Sequence, residues 1–324
     1  MDAHAFRADI ESRPEFLRSA AGIWAADNPW QTLQLGRPSG SADPRIILLG
    51  MGSSHFANAV AAARLTHQGI PAVACLASSD LLPAIQADDV VIAVSASGAS
   101  AETIDAAERV RGACRVILVT NTDHGPLRDL ADDVVEMQAG PELGGVACRS
   151  FTHTQALLLL LEWHLLERAP STNTLLHAAD AAADLLDARP TWLERTREQL
   201  LGPDGTAVVA PVRRLASAQQ SALMLREGPR LPAIACETGD WSHIDVYLTK
   251  TTDYRMLLLA GSRWESALMD WCRQRGSTVV ALGSEVPGAT STIRFRHDDE
   301  DDVRLLAEVT VAEVIAAAAW ADAG

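Results

Sequence analysis

The chain is poor in positive charge. Against 42 acidic residues it sets 27 lysines and arginines, a formal net charge of −15, and its second half contains a single lysine, Lys250. Such a balance repels nucleic acid and anionic lipid over most of the surface, so partners of those classes are not expected. Any anionic ligand must be held locally, by backbone dipoles and hydroxyls. Cysteine is scarce too: Cys75, Cys114, Cys148, Cys236 and Cys272 are odd in number, far apart and without a C-x-x-C pair. This argues against a disulfide framework or a zinc ribbon and suits reduced thiols in a cytoplasmic enzyme. Long apolar runs are missing. The most apolar, Ala156 to Leu161, ends at Glu162 and is too short to span a bilayer. Asp2, His4, Arg7, Asp9 and Glu11 interrupt any signal-peptide pattern at the start. Three familiar motifs fail as well. Gly50 and Gly52 lack the third glycine and acidic partner of a dinucleotide fingerprint, no G-x-x-x-x-G-K-[ST] exists, and Ser95-Ala96-Ser97-Gly98-Ala99 does not fit G-x-S-x-G.

What is present centres on residues 90 to 104. Val90 to Val94 is a short, β-branched apolar run without polar alternation, the pattern of a strand buried on both faces of a parallel sheet. Ser95, Ser97, Gly98 and Ser100 then supply hydroxyl donors, a glycine that permits close approach, and the N–H groups of a helix start, which together suit an anionic oxygen. The residues alone also allow a plain helix cap, since serine is a good N-cap.

At 324 residues the chain has room for two domains. Residues 4 to 34 read as helical, broken at Pro14 and near Pro29, and Gly36 to Pro44 reads as a linker. Strands are expected at Arg45 to Gly50, Ala72 to Cys75, Val90 to Val94, Arg115 to Val119 and Asp133 to Met137, with helical patterns between them. That alternation indicates a parallel sheet covered on both faces. A helical stretch from Phe151 to Leu200, interrupted near Pro170 and Pro190, precedes a second copy of the plan: Thr206 to Ala210, a helix Ala216 to Arg226, then strands at Arg255 to Ala260 and Thr278 to Leu282. Superposing the copies puts Ser95 to Gly98 near Gly261-Ser262-Arg263, so the second copy lacks the clustered serines. A final helix spans Asp302 to Trp320, after an acidic run read as a solvated loop.

Three segments carry a family resemblance. Gly52-Ser53-Ser54 resembles a G-T-S first loop, Ser95-Ala96-Ser97-Gly98-Ala99-Ser100 resembles the phosphate motif S-x-S-G-x-T, and Gly145-Val146-Ala147-Cys148 resembles G-V-A-S. All three belong to the sugar isomerase (SIS) family, and the two-domain plan is similar to the isomerase half of glucosamine-6-phosphate synthase and its relatives. Ile10-Glu11-Ser12-Arg13-Pro14 is like the family's E-I-x-x-Q-P lead-in, with Arg13 for the glutamine. The resemblance implies an α/β fold of two tandem SIS-type, flavodoxin-like domains, each a parallel sheet flanked by helices. Its segments would be an N-terminal helical piece (1–35), a phosphate-binding domain (36–165), a helical connector (166–203) and a second, degenerate domain (204–324). It implies phosphate binding by Ser53, Ser54, Ser95, Ser97, Gly98 and Ser100, and sugar contacts from Val146, Ala147 and Cys148.

The same resemblance implies a catalytic pair. The synthase has a glutamate at a helix end and a histidine sixteen residues on; here 243 − 227 = 16 places Glu227 and His243 on those positions. A carboxylate can move a proton between adjacent carbons through an enediol, and a histidine can protonate a ring oxygen. The expectation is a phosphosugar isomerase, deaminase or deglycase acting on a hexose or aminohexose 6-phosphate, cytoplasmic, with neither metal nor organic cofactor. Relatives lend the histidine to a partner subunit, which implies a homodimer. Departures point to an alternative, a phosphosugar-binding or sensing protein with reduced catalysis. Met224 stands where the synthase has lysine, Ala96 replaces a glutamine, Cys148 replaces a serine, and neither a lysine-bearing tail after Gly324 nor an amidotransferase domain is expected.

Overall fold

The structure, a computed structural model, describes residues 1–33, 35, 44–169 and 171–323. Apart from Pro44, the expected linker lies outside these residues, as does the break at Pro170. Two helices, α1 (Ala3–Glu11) and α2 (Arg13–Ala26), are followed by β1 (Ile46–Gly50), α3 (Gly52–His67), β2 (Ala72–Leu76), β3 (Val90–Val94), α4 (Ala101–Val110), β4 (Arg115–Thr120), β5 (Asp133–Glu136) and α5 (Arg149–Leu165). Next come α6 (Thr172–Asp187), α7 (Arg189–Leu200), β6 (Thr206–Ala210), α8 (Leu215–Glu227), β7 (Ala233–Glu237), β8 (Arg255–Leu259), α9 (Glu265–Arg275), β9 (Thr278–Leu282), β10 (Ser291–Ile293), α10 (Asp301–Ala307) and α11 (Val309–Ala323). Among the described residues no helix is long and apolar enough to cross a membrane.

The chain divides into two compact units. One, the serine-loop unit, comprises Phe16–Pro141 and Arg149–Thr172; the other, the glutamate unit, comprises Met1–Glu15, Glu142–Cys148 and Asn173–Gly324. Each contains a five-stranded sheet, ordered β2-β1-β3-β4-β5 in the first and β10-β9-β8-β6-β7 in the second. Every pairing is parallel. The two orders are one plan, read from opposite edges.

In the serine-loop unit β1, β3 and β4 are the central strands, and all five residues of β3 are buried. Removing each such valine or isoleucine from water contributes about 1.5–3 kcal/mol, which is why an unbroken apolar run becomes a central strand. Ile47, Leu49, Val91 and Val116 pack with Ala106 and Val110 of α4, whose remaining faces are polar. Helix α5 is buried nearly all round, and Glu162 reaches Arg64 of α3 at 2.6 Å. In the glutamate unit Val209, Met256, Leu258, Val279 and Ala281 pack with Leu268, Met269 and Cys272 of α9 around Trp241, whose indole N–H donates to the Tyr254 hydroxyl at 2.7 Å.

Two strands had no sequence signal. β7 is an edge strand with only Ala233 and Cys236 buried, and β10 has only three residues. The closing helix is two helices. It breaks at Glu308, a fully buried carboxylate paired with Arg214.

Candidate functional site

In open parallel sheets a crevice forms at the carboxyl ends of the two strands where the order reverses. In the serine-loop unit those strands are β1 and β3, and both expected serine loops follow them directly. Ser53 and Ser54 lie half-buried in the first turn of α3. Beyond β3, Ser95 is buried, Ser97 is exposed, and Ser100 caps α4. The turn is held by its own bonds. Ser95 N–H donates to the Val119 carbonyl at 3.0 Å and Gly98 N–H to the Ser95 carbonyl at 3.1 Å. The Ser97 hydroxyl accepts from Ala99 N–H at 3.3 Å. Ser100 accepts from the Thr103 hydroxyl at 3.1 Å and donates to Glu102 at 3.0 Å. Gly98 has φ +62°, and a Cβ there would sit 2.9 Å from Thr122 Cγ2, so both backbone and space demand glycine.

The turn after β4 buttresses this loop, and sequence reasoning missed it. Asn121 N–H donates to the Ala96 carbonyl at 3.1 Å, Leu127 N–H to the Gly98 carbonyl at 3.3 Å, and Gly125 packs against Gly98. The one available signal was the turn-forming run Asn121 to Pro126. His55, next to Ser54, is half-buried, and burial lowers its pKa, so at neutral pH it adds little charge. Hydroxyls and the first turns of α3 and α4 therefore provide the attraction for an anion.

In the glutamate unit Glu227 is the last residue of α8, which Gly228 and Pro229 terminate. It is half-buried. Desolvation raises its pKa, with Arg226 opposing, and the negative end of a helix dipole acts in the same direction as burial. The Trp320 ring lies over Gly228, 2.9 Å from where a Cβ would be. Met224, in the position where the synthase has lysine, is fully buried. Gln220 of α8 donates to the Ala147 carbonyl at 2.8 Å, bringing the Gly145–Cys148 segment to the helix that ends in Glu227.

The side chains of that segment point away from solvent. Val146 and Cys148 are buried and Ala147 is half-buried. Cys148 N–H donates to Glu142 at 2.7 Å, and burial pushes its thiol well up, with Glu142 and Glu313 adding to the effect. This segment thus offers a ligand its backbone more readily than side chains. Arg13, which stands for the family's glutamine, is fully buried against Glu313 and donates to Thr310 at 2.7 Å. The substitution is neutralised from α11.

His243 is exposed at the end of a short turn, Asp240–Ser242. Beside it Ile244, Tyr247 and Leu248 are exposed apolar residues, and Lys250 lies 5.9 Å from the Tyr247 ring centre. Among the described residues no hydrogen bond or ion pair joins Glu227 to His243.

The glutamate unit has its own reversal point, between β6 and β8, and protein fills it. Arg213 donates to the Gly261 carbonyl at 2.9 Å, and Arg304 to the Ala260 carbonyl at 3.1 Å. Arg214, fully buried, also donates to Ala260 and pairs with Glu308, while both arginines of the 213–214 pair bond Asp301. A Cβ on Gly261 would sit 3.0 Å from both Arg214 and Arg304.

Comparison with known proteins agrees with this geometry. Residues 41–162 match the SIS domain family. The chain is 26% identical over 277 residues to glutamine–fructose-6-phosphate aminotransferase (isomerizing) of Sulfurisphaera tokodaii, covering 83% of this chain and 45% of that protein. It spans less than half the length of the curated relatives it matches. Tagatose-6-phosphate ketose/aldose isomerase from Escherichia coli shares the fold with a TM-score of 0.82 at 17% identity, covering 100% of this chain and 96% of that one. Glucosamine-6-phosphate deaminase from Thermotoga maritima does so at 0.77 and 15%, covering 99% and 95%. Residues 41–162 thus match a SIS domain, and both sheets of the chain follow one strand order.

Proposed function

We propose that this protein is a phosphosugar isomerase or deaminase-type enzyme acting on a hexose or aminohexose 6-phosphate through an enediol or enediolamine. The observation that carries the reading is the reversal point of the serine-loop unit, where hydroxyl-bearing turns and the starts of α3 and α4 follow the adjacent strands β1 and β3. A phosphate dianion suits such a site, because N–H dipoles and hydroxyls supply the hydrogen bonds that a charged oxygen loses on leaving water. Ser53, Ser54, Ser95, Ser97, Gly98 and Ser100 bind the phosphate, and the Val146–Cys148 backbone contacts the sugar. Glu227 moves the proton between adjacent carbons. His243 opens the ring, working in a homodimer whose partner covers the exposed residues around it.

Glu227→Gln, assayed on a panel of hexose and aminohexose 6-phosphates, should lose about 10²–10⁴-fold in kcat with little change in KM. Unchanged turnover on the best substrate would sink the assignment. The pH profile is a second check. A base must be ionised, and desolvation lifts Glu227 above the ordinary glutamate value of 4.5, so the acid limb of kcat/KM should be displaced upward from that value and vanish in the variant. Linkage gives the sign for stability. A carboxyl raised by folding stabilises below its unfolded pKa and loses that contribution as pH rises through the folded one, so Glu227→Gln should melt slightly higher than the parent at neutral pH.

One observation favours a second reading, a phosphosugar-binding protein without turnover: the lysine position is occupied by buried Met224. That reading requires a thermal shift with sugar phosphates, abolished by Ser97→Ala, and no product by chromatography. Product above background refutes it.

A further inference from the structure

Within the glutamate unit, α6 and the loop between β10 and α10 bring together two histidines and a glutamate that the proposed chemistry does not use. His177 of α6 and His297 of the loop are stacked, ring centres 3.8 Å apart and planes 1° from parallel. Glu300, the residue before α10, places Oε1 2.6 Å from His177 Nδ1 and 3.6 Å from His297 Nδ1. Each of the three offers one ligand atom, and these atoms all lie within 4.8 Å of one another.

Glu300 thus faces both imidazoles, closely at His177 and at longer range at His297. His297 has φ +59°, a left-handed backbone that few non-glycine residues adopt, histidine, asparagine and aspartate being the better tolerated. The loop around it is braced. Asp298 accepts from Arg294 at 2.5 and 2.8 Å and from Phe295 N–H at 3.2 Å. Arg296 N–H donates to Asp184 of α6 at 3.0 Å, and Glu300 N–H to the His297 carbonyl at 3.1 Å. The acidic run is thus only partly a solvated loop: Asp298, Glu300 and Asp301 each hold a named partner. The His297 ring itself is placed by its stack on His177 and by Glu300.

We infer that His177, His297 and Glu300 bind a divalent transition metal of the zinc, cobalt or nickel class, with water completing the shell. Two imidazoles and one carboxylate are donors that such ions accept, whereas calcium and magnesium prefer all-oxygen shells. Bonds of 2.0–2.1 Å in a tetrahedron separate ligand atoms by about 3.3 Å, and the two measured separations bracket that value, so small side-chain rotations suffice. All three side chains are about one-third exposed, which leaves an entry path and an open position. A bound ion would cross-link α6 to the start of α10, the helix whose Arg304 reaches the β8 end.

The test is titration of the full, chelator-treated chain with zinc and cobalt chlorides, followed by calorimetry and, for cobalt, visible absorption. We expect one ion per chain, cobalt bands from nitrogen and oxygen ligands, and a higher melting temperature with zinc. His297→Asn keeps a residue that tolerates the left-handed backbone, so it should fold with unchanged circular dichroism yet bind more than about 100-fold weaker, a direct ligand mattering more than the outer-shell partners whose loss costs 10–100-fold. His177→Ala should do the same, and His67→Ala should bind like the parent. Absence of saturable one-to-one binding overturns the inference, as does binding that survives the double substitution His177→Ala/His297→Asn.

Discussion

The two reversal points of this chain share a topology and differ in chemistry. After β1 and β3 the chain places glycines and serines that lead into the first turns of α3 and α4. After β6 it places Arg213 and Arg214, which with Arg304 satisfy the carbonyls of Ala260 and Gly261 after β8 and are balanced by Asp301 and Glu308. A doubly wound sheet opens a crevice wherever its order reverses. Whether that crevice receives a ligand or becomes core depends on the few residues that follow the strands. In the glutamate unit the space is occupied by guanidinium groups already bonded to backbone and carboxylates, so it serves stability.

The contrast can be broken from either side. Arg214→Ala should have the largest effect, because it leaves Glu308 buried without its fully buried partner. Breaking such a pair costs about 3–5 kcal/mol, to be read from urea denaturation, while affinity for glucose 6-phosphate should persist in whatever remains folded. Loss of affinity without loss of stability would reverse the assignment of the two crevices. Ser97→Ala comes next. Its exposed hydroxyl makes only the short contact with Ala99 N–H, so stability should stay within about 0.5 kcal/mol. One lost hydrogen bond to a charged group is worth about 1.5–3 kcal/mol, or roughly 10–100-fold in Kd by calorimetry. Ser100→Ala is the smallest. A lost N-cap costs about 0.5–2 kcal/mol, and the low end applies because the Ser100 Oγ to Thr103 N–H bond is long, 3.5 Å. A larger thermal loss would mean that the cap, rather than ligand binding, explains this serine.

Much of this was legible in the chain because it depends on near neighbours. β3, β6 and β9 fall on the runs read for them, since an apolar strand buried on both faces advertises itself without reference to the rest of the molecule. The serine loop and the end of α8 at Glu227 were legible for the same reason: turn chemistry and helix termination are local. β7 and β10 were not, being edge strands whose existence depends on a neighbour offering its backbone. The interruption expected near Pro190 is present: α6 ends at Asp187, and Pro190 sits in the first turn of α7, where its missing N–H costs nothing.

By itself, then, the sequence determined the order of elements, the repeat of the sheet plan and the anion-suited turns after β1 and β3. Tertiary structure decided what long-range pairing alone can decide. It placed Glu313 beneath Arg13, about 300 positions away, filled the second crevice with Arg214 and Arg304, and stacked His177 on His297 across the glutamate unit. Charges and ligands far apart in the chain meet only when the core has packed, because burial makes an unpaired charge costly and fixes which partner is within reach.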